Sequence, residues 1–214
     1  MTTYTSSDTT KMKMINAAGE LAAEVGIDNV STRAVADFSG ENIGSIHYHF
    51  GSKEGFFEAV VRDAVDGCVD KGFRNAMGEL SDKSTPEEFS QALRIVIAGE
   101  ITSLFRSNRP DWHAQVIYQL LQRDDVLSDI FKAEVMNPDM NSTSRFFSLL
   151  DPEMSDEDVF LHGIALKMPI FVHAHYKKTF LKQLRVKEYS EDYLQKMEDL
   201  LVKQTQLLMG LPQD

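Results

Sequence analysis

The sequence predicts an all-α protein of about nine helices, with three helices in a small N-terminal domain and the others in a C-terminal bundle. Two observations support this fold class. Apolar residues recur every three or four positions along most of the chain, and no segment shows the strict alternation of a half-buried strand. Residues that start helices (Ser, Thr, Asp) and residues that end them (Gly, Pro) divide the pattern into segments of helical length.

Four helices are expected in the first third of the chain. They cover approximately residues 10–26, 32–39, 43–49 and 53–77. The apolar stripe of the fourth helix includes Cys68, the single cysteine of the chain. We expect Cys68 to be a small buried hydrophobic residue, with a reactive thiol as the alternative.

Five further helices follow a polar loop at residues 78–86. Thr85, Pro86 and Glu88 have the spacing of a capping box with Pro at the first helical position. The five helices are expected over residues 86–107, 110–123, 128–150, 155–183 and 190–210, with bends at Pro138 and Pro169.

Composition places the chain among ordinary soluble globular proteins, because 43% of its 214 residues are hydrophobic and 26% are charged. Residues 1–9 are polar and lack the apolar core of a signal peptide. No run approaches the roughly 18 apolar residues that a membrane span needs. We therefore expect a cytoplasmic protein that does not cross a membrane.

The most informative segment is residues 31–53, STRAVADFSGENIGSIHYHFGSK. Gly40 stands where the second helix must end, since Gly tolerates a positive φ. Asn42 can cap the third helix, and Ile46 is spaced to pack against the second helix. Two short helices joined by a tight turn form a helix-turn-helix, whose second helix fits the major groove of DNA.

The outer face of the third helix carries hydrogen-bonding side chains. Asn42, Ser45, His47 and Tyr48 lie on or beside this face, and each can bond to a base edge or a phosphate. Lys53 opens the next helix near the expected path of the DNA backbone. The recognition helix has no Lys or Arg, so the arginine fork that commonly binds guanine is missing.

The net charge of −11 opposes a simple prediction of nucleic-acid binding. However, Lys11, Lys13, Arg33 and Lys53 all lie near helix starts, where backbone N–H groups also favour phosphates. We therefore expect a local positive rim, few phosphate contacts and a shallow salt dependence of DNA binding.

The chain resembles the TetR family of bacterial transcriptional regulators over approximately residues 11–65. The shared motifs are AAGELAAEVG at 17–26, STRAVA at 31–36, IHYHF at 46–50 and SKEG at 52–55. The aromatic-His-Phe sequence followed by Ser-Lys-Glu is the specific part, because a generic helix-turn-helix does not require it. The order of elements from Pro110 onward is also similar to the CecR-type subgroup.

This resemblance implies a DNA-binding domain at residues 1–52 and a ligand-binding and dimerisation domain at residues 53–214. Many relatives carry Lys at the position of Ile43 and Tyr at the position of His47, which makes the DNA affinity of this chain uncertain. The positions that the resemblance places at DNA are Thr32, Arg33, Asn42, Ser45, His47 and Tyr48, with Lys53 at a phosphate.

The implied function is that of a ligand-responsive regulator. In the usual form of the family, a homodimeric repressor binds a palindromic double-stranded DNA operator and is released by a small molecule; activation is the alternative sense. A second hypothesis is an all-helical ligand-binding or enzyme domain with a fortuitous helix-turn-helix-like corner.

The last two long helices predict a dimer interface. Residues 159–172 are apolar on nearly all sides of the eighth helix, and the ninth helix carries a broad leucine-rich stripe. Two such helices from each subunit can form a four-helix interface about a two-fold axis. Packing within one chain is the alternative for the ninth helix.

An effector pocket that is largely apolar is expected in the C-terminal part, although ordinary core packing explains the same residue types. Glu100 and Lys167 interrupt apolar rows and either line this pocket or reach solvent. The candidate pocket residues are Glu100, Phe105, Trp112, His113, Tyr118, Phe146, Met168 and His173.

No enzyme activity, cofactor or metal is expected. The pairs His47/His49 and His173/His175 are two residues apart, so their side chains lie on nearly opposite sides of a helix. No Cys or carboxylate cluster completes a zinc site, and no nucleophile elbow or phosphate-binding Gly loop occurs. No catalytic residue is therefore assigned.

Overall fold

The structure is a computed structural model that describes residues 6–66 and 71–213. Within these ranges the chain forms helices and no β-strand. A 3₁₀ turn at Ile27–Asn29 and two π-helical segments, Thr102–Arg106 and Lys132–Met136, accompany the α-helices. The twelve α-helices of the described ranges are α1 (Ser6–Val25), α2 (Thr32–Ser39), α3 (Gly44–Phe50), α4 (Lys53–Asp66), α5 (Lys71–Glu79), α6 (Pro86–Ile101), α7 (Trp112–Leu120), α8 (Val126–Phe131), α9 (Asn137–Leu150), α10 (Asp156–His175), α11 (Lys177–Leu184) and α12 (Glu191–Met209).

The all-α prediction is confirmed, although the described ranges hold more helices than the nine predicted, because described residues divide two of the predicted helices. The helix expected over residues 128–150 is divided by the π-helical segment Lys132–Met136. The helix expected over residues 155–183 ends before Tyr176, whose φ of −92° and ψ of 20° are not helical. Pro169 lies inside α10 and does not end it.

The helix expected over residues 53–77 corresponds to α4 and α5. Cys68 lies between them, outside the described residues, so its predicted burial stays a prediction. The capping box at α6 is confirmed: the Thr85 N–H donates to Glu88 Oε2 at 2.7 Å, and the Glu88 N–H donates to Thr85 Oγ1 at 3.3 Å. This pair defines the start of α6.

The described residues divide into two compact units. The first draws on Met1–Val69 and Arg109–Val135, and so contains α1 to α4 with α7 and α8. The second draws on Asp70–Asn108 and Met136–Asp214, and contains α5, α6 and α9 to α12. The predicted boundary between residues 52 and 53 divides a DNA-binding domain from a ligand-binding and dimerisation domain. This functional division stays a prediction.

The first unit has its own hydrophobic core, in which α1 packs against α2, α4 and α7, and α8 packs against α4. Burying these side chains removes apolar surface from water, which is the main stabilising contribution to such a unit. Its fully buried residues include Met14, Ala18, Val35, Phe56, Val60, Val61, Val116 and Leu120.

The second unit is built around α6, which packs against α5, α10 and α12. A buried polar chain joins the C-terminal end to α6: the Gln206 side chain donates to Ser90 Oγ at 2.6 Å, and Ser90 donates to the Pro212 carbonyl at 3.0 Å. Its core includes Leu93, Val96, Ile97, Ile101, Phe146, Phe147, Ile170, Leu194 and Val202.

Two helices of the second unit keep part of their apolar surface exposed. Leu194, Met197 and Leu201 of α12 are buried, whereas other leucines of the same predicted stripe are not. The exposed residues are Phe160, Leu161 and Ile164 on α10 and Leu200, Leu207 and Leu208 on α12. None of the described helices has the length and apolarity of a membrane-spanning helix.

Candidate nucleic-acid interface

The turn between α2 and α3 is defined by local hydrogen bonds. Ser31 Oγ caps α2 by accepting from the Ala34 N–H at 3.1 Å. Gly40 ends α2 with a φ of 70°, which Gly adopts at little cost. The Asn42 side chain accepts from the Gly44 N–H at 2.8 Å. Asn42 therefore caps α3 as predicted, although the backbone N-cap position is Ile43.

Side chains on the inner face of α3 hold it against the unit. Ile46 is buried, as its spacing predicted. The Phe50 ring contacts the Phe56 ring edge to face, with 4.8 Å between centroids. Gly55 allows the close turn into α4, because a Cβ there would lie 2.6 Å from the Phe50 carbonyl oxygen. The helix is therefore firmly positioned without using its outer side chains.

The outer face of α3 is open to solvent. Tyr48 is 82% exposed and Ile43 is 48% exposed. Asn42 and His47 are also exposed, and Ser45 is half-buried. A large, rigid side chain with so little packing contributes little to folding, so this face is available to bind another molecule.

Two of these side chains already form hydrogen bonds with nearby backbone groups of the same segment. Asn42 uses its oxygen on Gly44, as described above. His47 Nδ1 lies 3.1 Å from the Gly51 carbonyl oxygen. Because a carbonyl only accepts, the proton must be on Nδ1, and Nε2 of the neutral ring is then an acceptor. The outer face of α3 therefore presents hydrogen-bonding groups and apolar surface, and no Lys or Arg.

The predicted cationic rim is only partly available. Arg33 and Lys53 are exposed, as is Lys11, whose ammonium lies 5.6 Å from the Phe50 ring centroid. Lys13, in contrast, forms an ion pair with Glu41 at 3.1 Å. This pair neutralises one of the four expected cations. Thr32, at the first position of α2, is half-buried.

Helix α7 supports α1 inside the first unit. Trp112 is 3% exposed, and its indole N–H donates to Asn16 Oδ1 at 3.2 Å. The ring covers Gly19 so closely that any Cβ at that position would collide with it. Trp112 was predicted to line an effector pocket, but here it is a core residue of the unit that carries the helix-turn-helix.

Polar contacts from α7 extend this support. The Gln119 side chain donates to the Ala22 carbonyl and accepts from the Ile27 N–H, both at 2.8 Å. His113 Nε2 lies 3.1 Å from Asp63 Oδ2 of α4. Gln119 was not among the residues predicted from the sequence to have a role. The available signal was Gly19, since a Gly inside a helical pattern often marks close packing.

Arg123, which follows the end of α7, forms ion pairs with Asp28 and Asp125. Its hydrogen bonds to Asp125 and Asp28 raise the pKa of Arg123 above its ordinary value. The same guanidinium is the main cause that lowers the pKa of the Asp125 carboxyl. Asp125 also caps α8 by accepting from the Ser128 N–H at 3.1 Å.

The eight predicted pocket residues are divided between the units. Trp112, His113 and Tyr118 belong to the first unit, and the other five belong to the second. Phe146 lies in the core, 5.6 Å from the Phe89 ring centroid. The other four candidates of the second unit are half-buried: Glu100, Phe105, Met168 and His173. The eight candidates therefore do not all belong to one unit, and the pocket stays a prediction.

Phe105 and His173 do share an aromatic cluster in the second unit. The Phe105 ring lies 5.5 Å from Tyr189, and His173 Nε2 lies 3.0 Å from the Tyr193 hydroxyl. Burial raises the pKa of Tyr189 to about 12. Among the described residues, no group of three or more His, Cys, Asp or Glu is placed to hold a metal ion.

Comparison with known proteins identifies the N-terminal part. The family model for bacterial regulatory proteins of the tetR family matches residues 14–60, which hold most of α1, all of α2 and α3 and the start of α4. No curated protein matches the sequence significantly. The CecR-type resemblance of the C-terminal part stays a prediction.

Solved structures share the whole fold. The TetR-like transcriptional regulator from Rhodococcus sp. RHA1 is 17% identical, with 92% of this chain and 96% of that chain covered and a TM-score of 0.57. The fatty acid degradation regulator FadR from Bacillus halodurans is 18% identical, with 98% and 97% covered and a TM-score of 0.59. A transcriptional regulator from Aquifex aeolicus VF5 is 14% identical, with 93% and 99% covered and a TM-score of 0.51.

These similarities agree with the local geometry. The matched region contains the capped turn, the buried inner face of α3 and its exposed outer face. The structural matches extend over nearly all of the chain. Residues 14–60 therefore match the tetR family of bacterial regulatory proteins, and the chain as a whole shares its fold with solved transcriptional regulators.

Proposed function

We propose that this protein is a ligand-responsive repressor that binds a palindromic operator as a homodimer and is released by a small molecule. The observation that supports the proposal most strongly is α3, whose Ile46 is buried while Tyr48 is 82% exposed. A short helix held by one face and open on the other is suited to the major groove. DNA binding of this kind would take place in the cytoplasm.

The DNA contacts would divide between two kinds of residue. Ser45, Tyr48 and His47 would contact base edges or nearby phosphates, with Asn42 contributing its remaining donors. Thr32, Arg33 and Lys53 would contact phosphates near the starts of α2 and α4, where helix dipoles also favour negative charge.

Gel-shift titration at low salt, with the intergenic DNA beside the gene for this protein, tests this assignment. We expect a specific shift for the wild type, and a weaker shift at the same protein concentration for Tyr48→Phe and for Lys53→Ala. Lys83→Ala, in an exposed loop of the second unit, is the matched control and should bind normally. No shift on any upstream fragment, with folding intact, would contradict the proposal and favour a helical ligand-binding or enzyme domain.

The homodimer would form through the exposed apolar residues of α10 and α12. Six large apolar side chains on these helices are at least 40% exposed. Exposed large apolar side chains in such number commonly mark a protein interface. Two helices from each subunit would form a four-helix contact about a two-fold axis, which would present two copies of α3 to a palindromic site.

Sedimentation velocity tests the interface. Leu200→Glu and Leu207→Glu are expected to convert a dimer to a monomer, because each would place a carboxylate in an apolar contact. The control is Ile95→Glu, since Ile95 of α6 is also exposed, at 45%, but lies outside the proposed interface. A wild-type monomer at micromolar concentration would contradict the proposal.

The effector would be a largely apolar molecule bound in the second unit. Phe105 and His173 are the pocket candidates with the best support, because both belong to one half-buried aromatic cluster. A ligand that prefers the dimer state with low DNA affinity would shift the population away from DNA. The structural similarity to a fatty acid degradation regulator makes long-chain fatty acids suitable first compounds.

A thermal-shift screen of apolar compounds, followed by competition with operator DNA, tests this part. An effector should raise the melting temperature and lower the operator affinity, and Phe105→Ala should weaken both effects. A ligand that stabilises the protein and strengthens DNA binding would instead indicate an activator or a corepressor mechanism.

A further inference from the structure

One segment of the second unit is strongly basic in an otherwise acidic protein. Residues 177–187, here called the basic segment, contain four lysines and one arginine and no acidic residue. The whole chain has 22 basic and 33 acidic residues. The segment comprises α11 and the turn after it, where Arg185 adopts a left-handed φ of 59°.

Four of the five cations of this segment are exposed and form no ion pair with a described residue. Lys178, Lys182, Arg185 and Lys187 are exposed, and no described carboxylate pairs with any of them. Elsewhere in the same unit, cations are paired; Lys167, for example, lies 3.1 Å from Asp139. An exposed, unneutralised group of cations indicates a negatively charged partner.

An acidic segment of equal charge lies at the other end of α10. Residues 151–158 (DPEMSDED) contain five carboxylates and no Lys or Arg. All five are exposed, and none pairs with a described cation. α10 has 20 residues, so about 30 Å of helix separates the acidic segment from the basic segment. Neither segment neutralises the other within one chain.

Between these segments α10 exposes apolar side chains, including Phe160, Leu161 and Ile164. A helix with a negative start, an apolar middle and a positive end is complementary to an antiparallel copy of itself. In that arrangement each acidic segment meets the partner's basic segment. A parallel arrangement would bring like charges together, which is unfavourable.

We propose that, in the homodimer, the basic segment of each protomer binds the acidic segment of its partner and fixes the two α10 helices as antiparallel. This inference rests on the proposed homodimer and adds the contacts that set its orientation. A two-fold axis perpendicular to α10 forms both contacts at once, as an isologous interface requires.

A second copy of this chain fits the basic segment better than nucleic acid does. Leu184 is 43% exposed and Val186 is 47% exposed among the cations. A phosphate backbone offers no apolar surface to these residues, whereas a protein interface does. The acidic segment is present on the same molecule, at the same concentration and with matching charge.

A charge-swap experiment on the full chain tests the proposal. One variant carries Lys178→Glu and Lys182→Glu, and the other carries Glu153→Lys and Glu157→Lys. In the dimer of each variant alone, the substituted side chains face like charges at both contacts, and the altered segment keeps a net charge of only +1 or −1. Mixed together, they restore opposite charges at both contacts of the heterodimer. The dimer dissociation constants are measured by sedimentation equilibrium at 50 mM and 500 mM NaCl.

We expect each variant alone to dimerise at least about tenfold more weakly than the wild type at 50 mM NaCl. The mixture should recover wild-type affinity, and 500 mM salt should reduce all these differences. Lys83→Glu, an exposed substitution outside both segments, should leave dimerisation unchanged.

Wild-type dimerisation of each variant alone, or failure of the mixture to recover affinity, would overturn this inference while leaving the homodimer intact. A monomeric wild type would instead refute the homodimer itself. Weaker DNA binding by a normally dimeric Lys178→Glu/Lys182→Glu variant would show that the basic segment binds phosphate, and would also overturn the inference.

Discussion

The outer face of α3 and the basic segment are both exposed, yet they carry different chemistry. α3 presents hydroxyl, imidazole and phenol groups and no cation, although it is the element that should meet DNA. The basic segment presents four exposed cations in the other unit. The comparison indicates that charge alone does not locate the DNA-binding surface of this protein.

The contrast between the two surfaces also illustrates that affinity for DNA and recognition of its sequence depend on different side chains. Neutral side chains on α3 can distinguish bases but gain little from counterion release, which depends on Lys and Arg at phosphates. Arg33 and Lys53, which remain for phosphates, lie in the first turns of α2 and α4, whereas Lys11 lies in the second turn of α1, which begins at Ser6 and not near residue 10 as predicted. We therefore expect specific binding with a weak dependence on salt.

The largest expected effect comes from disrupting the packing of α1 against α7 in the unit that contains α3. Gly19→Val should destabilise the protein by about 3 kcal/mol or more, because its side chain must displace the Trp112 ring in a packed core. The measurement is chemical unfolding followed by fluorescence of Trp112, the single tryptophan. Gly78→Ala is the control, since nothing lies within 4 Å of its added Cβ. A stable Gly19→Val protein would show that α7 does not support α1.

Adding a cation to α3 should sharpen the comparison. Ile43→Lys is expected to raise affinity for all DNA sequences several-fold and to steepen the slope of log K against log salt by about 0.9 for each subunit bound. Fluorescence anisotropy with operator and random duplexes measures both quantities. Val126→Lys, at an exposed apolar residue of α8, is the control. An unchanged slope would mean that Ile43 does not approach a phosphate.

Removing a cation should act in the opposite direction. Lys53→Ala should lower affinity for operator and random DNA by similar factors of several-fold, and should reduce the salt slope by about 0.9 per subunit. The same anisotropy titrations apply. A loss confined to the operator would mean that Lys53 reads a base instead of a phosphate.

The smallest expected effect concerns Arg123 and pH. Its guanidinium lowers the pKa of Asp125 in the folded protein. The resulting stabilisation is present above the ordinary aspartate pKa and is lost as pH falls through the lowered value. The difference in melting temperature between wild type and Arg123→Gln should therefore shrink between pH 6 and pH 3. A difference that grows on acidification would contradict this pairing.

The helix-turn-helix was predictable because local rules determine it. The Gly40 turn, the Asn42 cap and the burial of Ile46 depend on residues within a few positions, and the structure agrees with each. The all-helical class followed from apolar periodicity for the same reason. The capping box at Thr85 is a further local feature that was predicted correctly from the sequence.

Long-range packing was not predictable in this way. Trp112 and Phe146 looked like pocket residues because an aromatic residue in a helical stripe suits a cavity or a core equally well. Which one forms depends on partners such as Gly19, which is 93 positions away in sequence. The end of α10 before Tyr176 also depended on tertiary context.

The most direct test of the central claim is selection of binding sites from a random duplex library at low salt. Wild-type protein should enrich a palindromic sequence, and Tyr48→Ala should enrich none while retaining its circular dichroism spectrum. If the wild type enriches no sequence, or if the variant enriches the same one equally well, α3 does not read DNA in this protein.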